Sequence, residues 1–260
     1  MISPTFDGLV CDLDGVIYRG DVAIPGAAQA VEHLRAAGVD LLFCTNNSRS
    51  TVAQYVSKLG SLGIEARPER ILTSAVVTAE VLEQQGFAGK TAIVVGGDGI
   101  RQALSDVCIS VKTDPAVTVS DLVVVGWDPG FTYEAMKRAS IAVRRGAKLI
   151  ATNGDATFPA ADGLWPGAGA ILASIETASG AKAEIMGKPH EPMMRVAQAR
   201  LAGARSIACV GDRPDTDLAG ARAKGWTTIL VLSGVTDEAS ARGLDPQPDL
   251  VLGSIAELTQ

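Results

Sequence analysis

The chain of 260 residues has no long hydrophobic run and no cluster of basic residues. No segment approaches the roughly eighteen uninterrupted apolar residues that a membrane-spanning helix needs. Residues 1–7 lack the basic start and apolar stretch of a secretory signal, so we expect a cytoplasmic protein without a membrane partner. Nucleic-acid backbones require a basic surface, whereas the formal net charge here is −6, so nucleic acid is not an expected partner.

Cysteine is also sparse. The four cysteines are far apart in the sequence, which is not the spacing of a metal site. Each lies in an apolar, strand-like run, so we expect four reduced core residues, Cys11, Cys44, Cys108 and Cys209. Low-complexity tracts, flexible linkers and short repeats are absent as well, so composition alone marks no domain boundary.

The chain does contain a regular alternation of apolar segments and amphipathic stretches of helical period. An apolar fraction of 47% with 20% charged residues is typical of a globular protein with a large core. The pattern predicts strands at residues 8–12, 40–44, 92–96, 121–126, 148–152, 206–210 and 227–232. It predicts helices at residues 26–37, 50–62, 74–86, 132–145, 167–179, 191–202 and 215–224. This alternation favours an α/β fold with a mostly parallel sheet.

The first predicted strand ends in Asp12-Leu13-Asp14-Gly15. Alternate side chains of a strand point the same way, so the two carboxylates can converge on one bound group while Gly15 allows a sharp turn. One carboxylate can then attack and the other can pass a proton. Because the four residues alone describe an ordinary turn just as well, the hypothesis of a nucleophile depends on the other segments.

Thr45, Asn46, Asn47 and Ser48 follow the second predicted strand and precede a helix. A threonine hydroxyl and the free backbone N–H groups of a helix start can hold an anion, which the helix dipole also favours. The same residue types are common helix N-caps without any ligand. This segment alone therefore leaves both interpretations open.

A single lysine, Lys188, lies in a turn set by Gly187 and Pro189. A lone lysine is usually a solvated surface charge, but several aspartates cannot share a site with a phosphate dianion unless a cation offsets the repulsion. Lys188 is the candidate for that cation. The two histidines, His33 and His190, are expected on a helix face and in a loop.

A third strand ends at Asp212, and Asp215 and Asp217 open the next helix. Mg²⁺ takes oxygen ligands, typically one or two carboxylates with waters and phosphate oxygens, and Asp12 with Asp212 would supply the carboxylates. Acidic residues also stabilise a helix start without any ligand. We favour Asp217 as a partner that orients Lys188 or a metal-bound water. Because ligands of open α/β sheets bind at the carboxyl ends of the strands, these groups can meet in one crevice.

Two glycine-rich segments invite a nucleotide-binding interpretation. Residues 94–100 follow a strand and open a helix, but Gln102 stands where the dinucleotide fingerprint needs a small residue. Residues 87–91 resemble the end of a P-loop, but Gln84 replaces the first glycine and the segment precedes a strand. Nucleotide binding is therefore disfavoured.

Taken in order, the segments D-L-D-G-V, T-N-N-S, G-K-P and G-D-R-P-D-T-D closely resemble the four motifs of the haloacid dehalogenase (HAD) superfamily. The resemblance spans residues 8 to about 232, and the long insertion before G-K-P looks like a type IIA cap. It implies a Rossmann-like parallel-sheet core formed by residues 1–86 and 186–260, with an inserted α/β cap at residues 87–185. This subgroup includes phosphatases of p-nitrophenyl phosphate, phosphoglycolate, pyridoxal phosphate and glycerol 3-phosphate.

Carried over to the matching positions, the resemblance implies a Mg²⁺-dependent phosphatase of small phosphorylated metabolites. Asp12 would attack phosphorus to form an aspartyl-phosphate, and Asp14 would protonate the leaving oxygen and then activate water. Thr45, Lys188 and the backbone N–H of Asn46 would hold the phosphoryl group. This assignment agrees with the chemistry inferred from the strand ends.

The resemblance further implies that Mg²⁺ is bound by Asp12, Asp212 and the backbone carbonyl of Asp14. An acid at position 14 separates phosphoryl transfer from dehalogenation, because a departing halide needs no proton. A phosphotransferase or phosphomutase of the same superfamily is one alternative, and a non-catalytic phosphate-binding relative is another. Binding alone needs no proton-transfer carboxylate, so the presence of both Asp12 and Asp14 argues against the second.

The cap positions that line the leaving-group side in this family correspond to Trp127 and Phe158, with Asn153 and Asp155 nearby. The two aromatic residues fit the core of the cap equally well. Pyridoxal phosphatase has a histidine where this chain has Phe158, which disfavours pyridoxal phosphate. Among small metabolites, we expect glycerol 3-phosphate or phosphoglycolate as the substrate. Caps of this type often carry a dimer surface, so a homodimer through the cap is the expected assembly.

Overall fold

The computed structural model describes residues 6–160 and 163–259. The strands are β1 (Gly8–Cys11), β2 (Tyr18–Arg19), β3 (Val22–Ala23), β4 (Asp40–Thr45), β5 (Ile71–Thr73), β6 (Thr91–Val95), β7 (Ser110–Val111), β8 (Leu122–Val125), β9 (Lys148–Ala151), β10 (Thr157–Ala160), β11 (Gly163–Pro166), β12 (Glu184–Ile185), β13 (Ile207–Gly211), β14 (Thr227–Val231) and β15 (Leu250–Leu252). The α-helices are α1 (Ala27–Ala36), α2 (Val52–Ser61), α3 (Ser74–Gln84), α4 (Asp98–Asp106), α5 (Tyr133–Arg144), α6 (Ala168–Ser179), α7 (Glu191–Arg200), α8 (Ala219–Ala223) and α9 (Glu238–Arg242).

The described residues form two compact units. The first unit comprises residues 6–45, 53–72 and 188–259, and the second comprises residues 46–52 and 73–187 apart from the undescribed pair 161–162. Helix α3 groups with the second unit because it packs against α4. The domain limits expected from the sequence, after residue 86 and before residue 186, remain predictions.

The first unit is built on a sheet with strand order β15-β14-β13-β1-β4-β5. The pairs from β15 to β4 are parallel, and β1 pairs with both β13 and β4. Every residue of β1 is buried, as expected for a central strand that is covered on both faces. The register places Cys11 beside both Val210 and Phe43, so the carboxyl ends of β1, β13 and β4 lie next to one another.

The second unit has its own parallel sheet, with strand order β12-β9-β8-β6-β7, and an antiparallel hairpin formed by β10 and β11. Its core brings Val123 and Val125 of β8 together with Ile171 and Ile175 of α6. Burying each such aliphatic side chain contributes about 1.5–3 kcal/mol relative to leaving it in water. The unit therefore has a hydrophobic core of its own.

The predicted α/β class with parallel sheets is confirmed, and each of the seven predicted strands corresponds to an observed one. The predicted ranges miss several elements. Strands β2, β3, β7 and β12 have two residues each, which is too few to show a period. The strands β5, β10, β11 and β15 and the helices α4 and α9 were also not among the predicted ranges. None of the helices formed by the described residues combines the length and apolar composition needed to cross a bilayer.

One cysteine differs from the expectation. Cys11, Cys44 and Cys209 are buried, but Cys108 is exposed and lies in the turn after α4 with a φ of 61°. The apolar neighbourhood of Cys108 suggested a strand in the core, but the strand β7 begins only at Ser110 and does not include Cys108. The prediction of four core cysteines was wrong at this position.

The glycines at the start of α4 have a structural explanation that involves no nucleotide. A Cβ atom on Gly99 would lie 2.2 Å from the carbonyl oxygen of Ser50, and one on Gly97 would lie 2.6 Å from that of Arg49. The N–H of Gly99 donates to the Arg49 carbonyl at 2.8 Å, so a neighbouring segment satisfies this helix start. The glycine pattern thus reflects close backbone packing.

We expect Gly99→Ala to lower the free energy of unfolding by about 1–3 kcal/mol or more, because the added methyl group would overlap backbone atoms that cannot move alone. Gly60→Ala is the matched control, since Gly60 lies inside α2 and a Cβ atom on it would have no neighbour within 4 Å. That substitution should stabilise the protein by up to about 1 kcal/mol through helix propensity. Urea unfolding of both variants measures the difference, and equal stabilities would contradict this role of close packing.

Candidate active site

Three neighbouring strands of the first unit end in polar side chains that are almost completely buried. Asp12 follows β1, Thr45 ends β4 and Asp212 follows β13, with exposed fractions of 8%, 3% and 3%. Burying a polar group costs free energy unless the group is paired, so a cluster of such groups indicates a functional site. Their position at adjacent carboxyl ends of parallel strands is where α/β sheets bind ligands.

Lys188 supplies a buried cation to this group. Its Nζ lies 2.6 Å from Asp12 Oδ1 and 2.7 Å from Asp217 Oδ1, and it donates to the carbonyl oxygen of Cys44 at 3.1 Å. Burial by itself lowers the pKa of Lys188, but the two carboxylates outweigh it and hold that pKa well above its usual range. Lys188 is therefore a fixed positive charge between Asp12 and Asp217.

The carboxylates outnumber this cation. Oxygen atoms of Asp12, Asp212 and Asp217 lie within 4.8 Å of one another, and all three residues are buried. Burial, together with Asp217 and Asp212, raises the pKa of Asp12 against the opposing effect of Lys188. Burial and the charge of Asp217 raise the pKa of Asp212 to about 6. Such a set of clustered, oxygen-only donors with excess negative charge fits a hard divalent cation such as Mg²⁺.

Close backbone packing fixes two of these carboxylates. The N–H of Arg213 donates to Asp217 Oδ2 at 3.1 Å. A Cβ atom on Gly211 would lie 2.3 Å from that same oxygen, which explains the glycine at the end of β13. A Cβ on Gly15 would lie 2.3 Å from Asp212 Oδ2, so the glycine of the first motif also makes room for a carboxylate.

Asp14 follows β1 by three residues and is partly buried. Desolvation raises its pKa to about 6, although the charges of Lys58 and Lys188 oppose that effect. A carboxyl group with a pKa near neutrality can both donate and accept a proton at physiological pH. Asp14 thus has the properties of a proton-transfer group.

Thr45 is held by a tyrosine that sequence reasoning missed. The side chains of Thr45 and Tyr55 are hydrogen-bonded, and burial raises the pKa of Tyr55 well above its usual range. Tyr55 lies on the buried face of α2. A tyrosine on the buried face of an amphipathic helix is typical of a core residue, and no sequence signal distinguishes Tyr55 as a site residue.

In the second unit, a polar network surrounds Asp155. Its carboxylate accepts hydrogen bonds from Asn46 Nδ2 at 3.1 and 3.2 Å and from Asn153 Nδ2 at 2.8 Å. Nearby, the hydroxyl groups of Ser48 and Thr152 are 2.8 Å apart. The network joins the segment that follows β4 to the loop that follows β9.

The two aromatic residues singled out in the sequence are in contact with each other. The rings of Trp127 and Phe158 stack at 4.1 Å with 19° between their planes, and the guanidinium of Arg49 lies 5.5 Å from the Trp127 ring centroid. Trp127 Nε1 donates to the carbonyl of Pro166 at 3.2 Å. Both rings are half-buried, and Trp127 also packs against the core of the second unit.

Comparison with known proteins identifies the family. A haloacid dehalogenase-like hydrolase model matches residues 9–110, and a second HAD-hydrolase-like model matches residues 185–258. An acid sugar phosphatase of Staphylococcus epidermidis is 38% identical over 232 residues, which is 89% of this chain and 88% of that protein. The chain belongs to the HAD-like hydrolase family.

Solved structures of this family agree over almost the whole chain. A p-nitrophenyl phosphatase from Archaeoglobus fulgidus has a TM-score of 0.90 and 30% identity, covering 98% of this chain and 99% of that one. A glycerol phosphate phosphatase from Mycobacterium tuberculosis, solved with magnesium, has a TM-score of 0.89 and 31% identity, covering 99% of this chain and 78% of that one. The hydrolase is therefore a phosphatase of the HAD subfamily IIA type.

The structure distributes the predicted site residues of the hydrolase over its two units. The first unit contains Asp12, Asp14, Thr45, Lys188, Asp212 and Asp217, and the second contains Asn46, Trp127, Asn153, Asp155 and Phe158. The carboxylate of Asp217 lies in one cluster with those of Asp12 and Asp212. The sequence predicts that Asp217 orients Lys188 or a metal-bound water. The individual roles remain predictions.

We expect Lys188→Met to lower the free energy of unfolding by about 3 kcal/mol in EDTA, because it leaves two buried carboxylates without their counter-ion. Adding Asp217→Asn to Lys188→Met should recover part of that loss, since one uncompensated charge is then removed. Lys182→Met, at a lysine whose side chain is 87% exposed, should change stability by less than about 0.5 kcal/mol. Urea unfolding measures all three, and a neutral Lys188→Met would contradict this balance of charges.

Proposed function

We propose that the phosphatase hydrolyses phosphomonoesters of small metabolites through an aspartyl-phosphate on Asp12, with Mg²⁺ as its cofactor. The observation that carries this proposal is the buried Lys188 ammonium, 2.6 Å from Asp12 and 2.7 Å from Asp217, beside a further buried carboxylate. Burying these charges costs stability, and a chemical role explains why the cost is tolerated. It suits the binding of a transferring phosphoryl group, whose negative charge Lys188 would offset.

In the first step, a carboxylate oxygen of Asp12 attacks phosphorus while the bond from phosphorus to the leaving oxygen breaks. Asp14 gives its proton to that oxygen, so the product leaves as a neutral alcohol. The pKa of about 6 supports this role, because a useful fraction of Asp14 is protonated near neutrality. Thr45, Lys188 and the N–H of Asn46 would hold the phosphoryl oxygens.

In the second step, water attacks the phosphorus of the aspartyl-phosphate and gives a proton to Asp14. The bond between phosphorus and the Asp12 oxygen breaks, which releases inorganic phosphate and regenerates both carboxyl groups. Dividing the reaction into two displacements lets one pair of carboxyl groups catalyse both. Water thus serves as the acceptor, which distinguishes a phosphatase from a phosphotransferase.

Asp12 and Asp212, with the Asp14 backbone carbonyl, would hold Mg²⁺, and the Asp217 carboxylate lies in the same cluster. When bound, the cation would supply charge neutralisation for the transferring phosphoryl group.

The substrate proposal draws on the relatives, which are acid sugar, p-nitrophenyl and glycerol phosphate phosphatases. We favour glycerol 3-phosphate or phosphoglycolate, with the leaving group contacting residues among Trp127, Asn153, Asp155 and Phe158. A cytoplasmic location and a homodimer formed through the cap, residues 87–185, remain predictions from the sequence.

The mechanism predicts opposite behaviour for two conservative variants. Asp12→Asn should show no turnover and no covalent phosphate, because the nucleophile is gone. Asp14→Asn should lower kcat by about 10²–10⁴-fold and accumulate phosphoprotein from an activated ester, because hydrolysis of the intermediate lacks its base. Acid quenching with ³²P-labelled substrate detects the adduct, and far-ultraviolet circular dichroism checks folding; full activity of Asp12→Asn would reject the mechanism.

A substrate panel tests metal use and specificity together. Wild-type protein is assayed for phosphate release from sugar, glycerol, glycolate, nucleotide and pyridoxal phosphates, with Mg²⁺ or with EDTA. We expect hydrolysis only with Mg²⁺, the highest kcat/KM for glycerol 3-phosphate or phosphoglycolate, and little hydrolysis of pyridoxal phosphate. Undiminished activity in EDTA would exclude the proposed cofactor, and a preference for nucleotides or pyridoxal phosphate would exclude the proposed substrates.

A further inference from the structure

The loop at residues 233–236 holds Asp212 in place. The backbone N–H of Val235 donates to Asp212 Oδ2 at 2.7 Å, and the hydroxyl of Thr236 donates to the Asp212 carbonyl oxygen at 2.6 Å. Gly234 has no room for a side chain, because a Cβ atom there would lie 2.0 Å from Asp212 Oδ2. The orientation of this carboxylate therefore depends on the position of the loop.

Arg19, at the end of β2, is hydrogen-bonded to the same loop. Its Nε donates to the carbonyl of Ser233 at 2.5 Å, and its Nη2 donates to the carbonyl of Gly234 at 3.0 Å. A planar guanidinium presents its donors in a fixed fork that can hold two successive carbonyl groups, which a single ammonium does not match. Ser233 also donates its hydroxyl to the carbonyl of Gly15 at 2.7 Å, so the loop has two attachments to the segment that follows β1.

A single peptide group connects Arg19 to Asp212. The carbonyl of Gly234 and the N–H of Val235 belong to the same planar unit, because the bond between them has partial double-bond character. Arg19 holds the oxygen of this unit, and the N–H on its other side donates to the carboxylate. Rotation of the peptide would break both bonds together. A cation at the oxygen also strengthens the N–H as a donor, as in other hydrogen-bonded chains.

Arg19 lies in a short hairpin in which β2 pairs antiparallel with β3. A lysine of α2 holds this hairpin. Lys58 Nζ donates to the carbonyl of Gly20 at 2.6 Å, lies 3.9 Å from the centroid of the Tyr18 ring and forms a 3.4 Å ion pair with Asp21. The residues on both sides of Arg19 are thus attached to α2. The guanidinium can therefore act on the loop from a defined backbone position.

We infer that Arg19 is a positioning residue for the cation site: through the Gly234–Val235 peptide it fixes the Asp212 carboxylate in the orientation that binds Mg²⁺. The inference rests on the metal site of the proposed function. Groups that orient metal ligands typically change metal affinity by roughly 10–100-fold when they are removed. Arg19 is exposed, and its guanidinium acts through hydrogen bonds to backbone carbonyls.

The test is Mg²⁺ binding to the full chain, freed of metal with EDTA, measured by isothermal titration calorimetry. Arg19→Ala should raise the Kd for Mg²⁺ by about tenfold, and Arg19→Lys should give an intermediate value because it restores only part of the contact. Arg222→Ala is the matched control: this half-buried arginine of the first unit also donates to a backbone carbonyl, that of Pro246, at 2.9 Å. It should bind Mg²⁺ with wild-type affinity.

A second readout separates positioning from general destabilisation. The Mg²⁺ concentration that half-saturates phosphatase activity should rise about tenfold in Arg19→Ala, while kcat at saturating Mg²⁺ stays near the wild-type value. Wild-type affinity in Arg19→Ala, or equal weakening in Arg222→Ala, would overturn the inference and leave the proposed function intact. A wild-type protein that fails to bind Mg²⁺ would overturn the proposed metal site, and this inference with it.

Discussion

The ammonium group of Lys188, buried between the carboxylates of Asp12 and Asp217, is the interaction on which the rest of the site depends. Removing charges from water is so costly that apolar replacements of buried ion pairs are often neutral or stabilising. The three buried carboxylates and the one buried cation at the strand ends are therefore explained by a role in the reaction and not by a contribution to stability. The raised pKa values of Asp12 and Asp212 express the same excess of negative charge. A bound cation would relieve that excess.

The parallel sheet makes this concentration of charge possible. Strands β1, β4 and β13 are adjacent and in register, so the residues that follow them start from neighbouring positions. Buried aliphatic side chains anchor the strands, and glycines then allow the carboxylates to pack against backbone: Gly15 and Gly234 lie against Asp212, and Gly211 lies against Asp217. Hydrophobic burial thus fixes the framework, while close backbone approach sets the positions of the charged groups.

The sequence was sufficient to predict seven strands of the two parallel sheets and the α/β class, because buried apolar segments carry a strong local signal. It was insufficient for the supports of the site. Arg19 contacts carbonyl groups 214 and 215 residues away, and nothing local distinguishes it from a solvated surface charge. Cys108 shows the converse error, since an apolar neighbourhood suggested burial where the chain forms a left-handed turn. Long-range contacts to backbone atoms leave no trace in residue type, so they could not be predicted.

Gly187, the glycine of the G-K-P segment, matters because it has no side chain. Within the second unit, a Cβ atom on Gly187 would lie 2.5 Å from both Asn46 Oδ1 and the carbonyl oxygen of Thr152. The chain passes between the two units at four points, and two of these points lie directly after Thr45 and directly before Lys188. These two crossings therefore adjoin proposed phosphate-binding residues. Asn46 and Gly187 stand at these two crossings and approach each other closely. A larger residue at 187 would separate them, and the covalently attached Thr45 and Lys188 would be displaced in turn. The glycine is thus required for packing, and its effect on chemistry follows from the two residues next to the crossings.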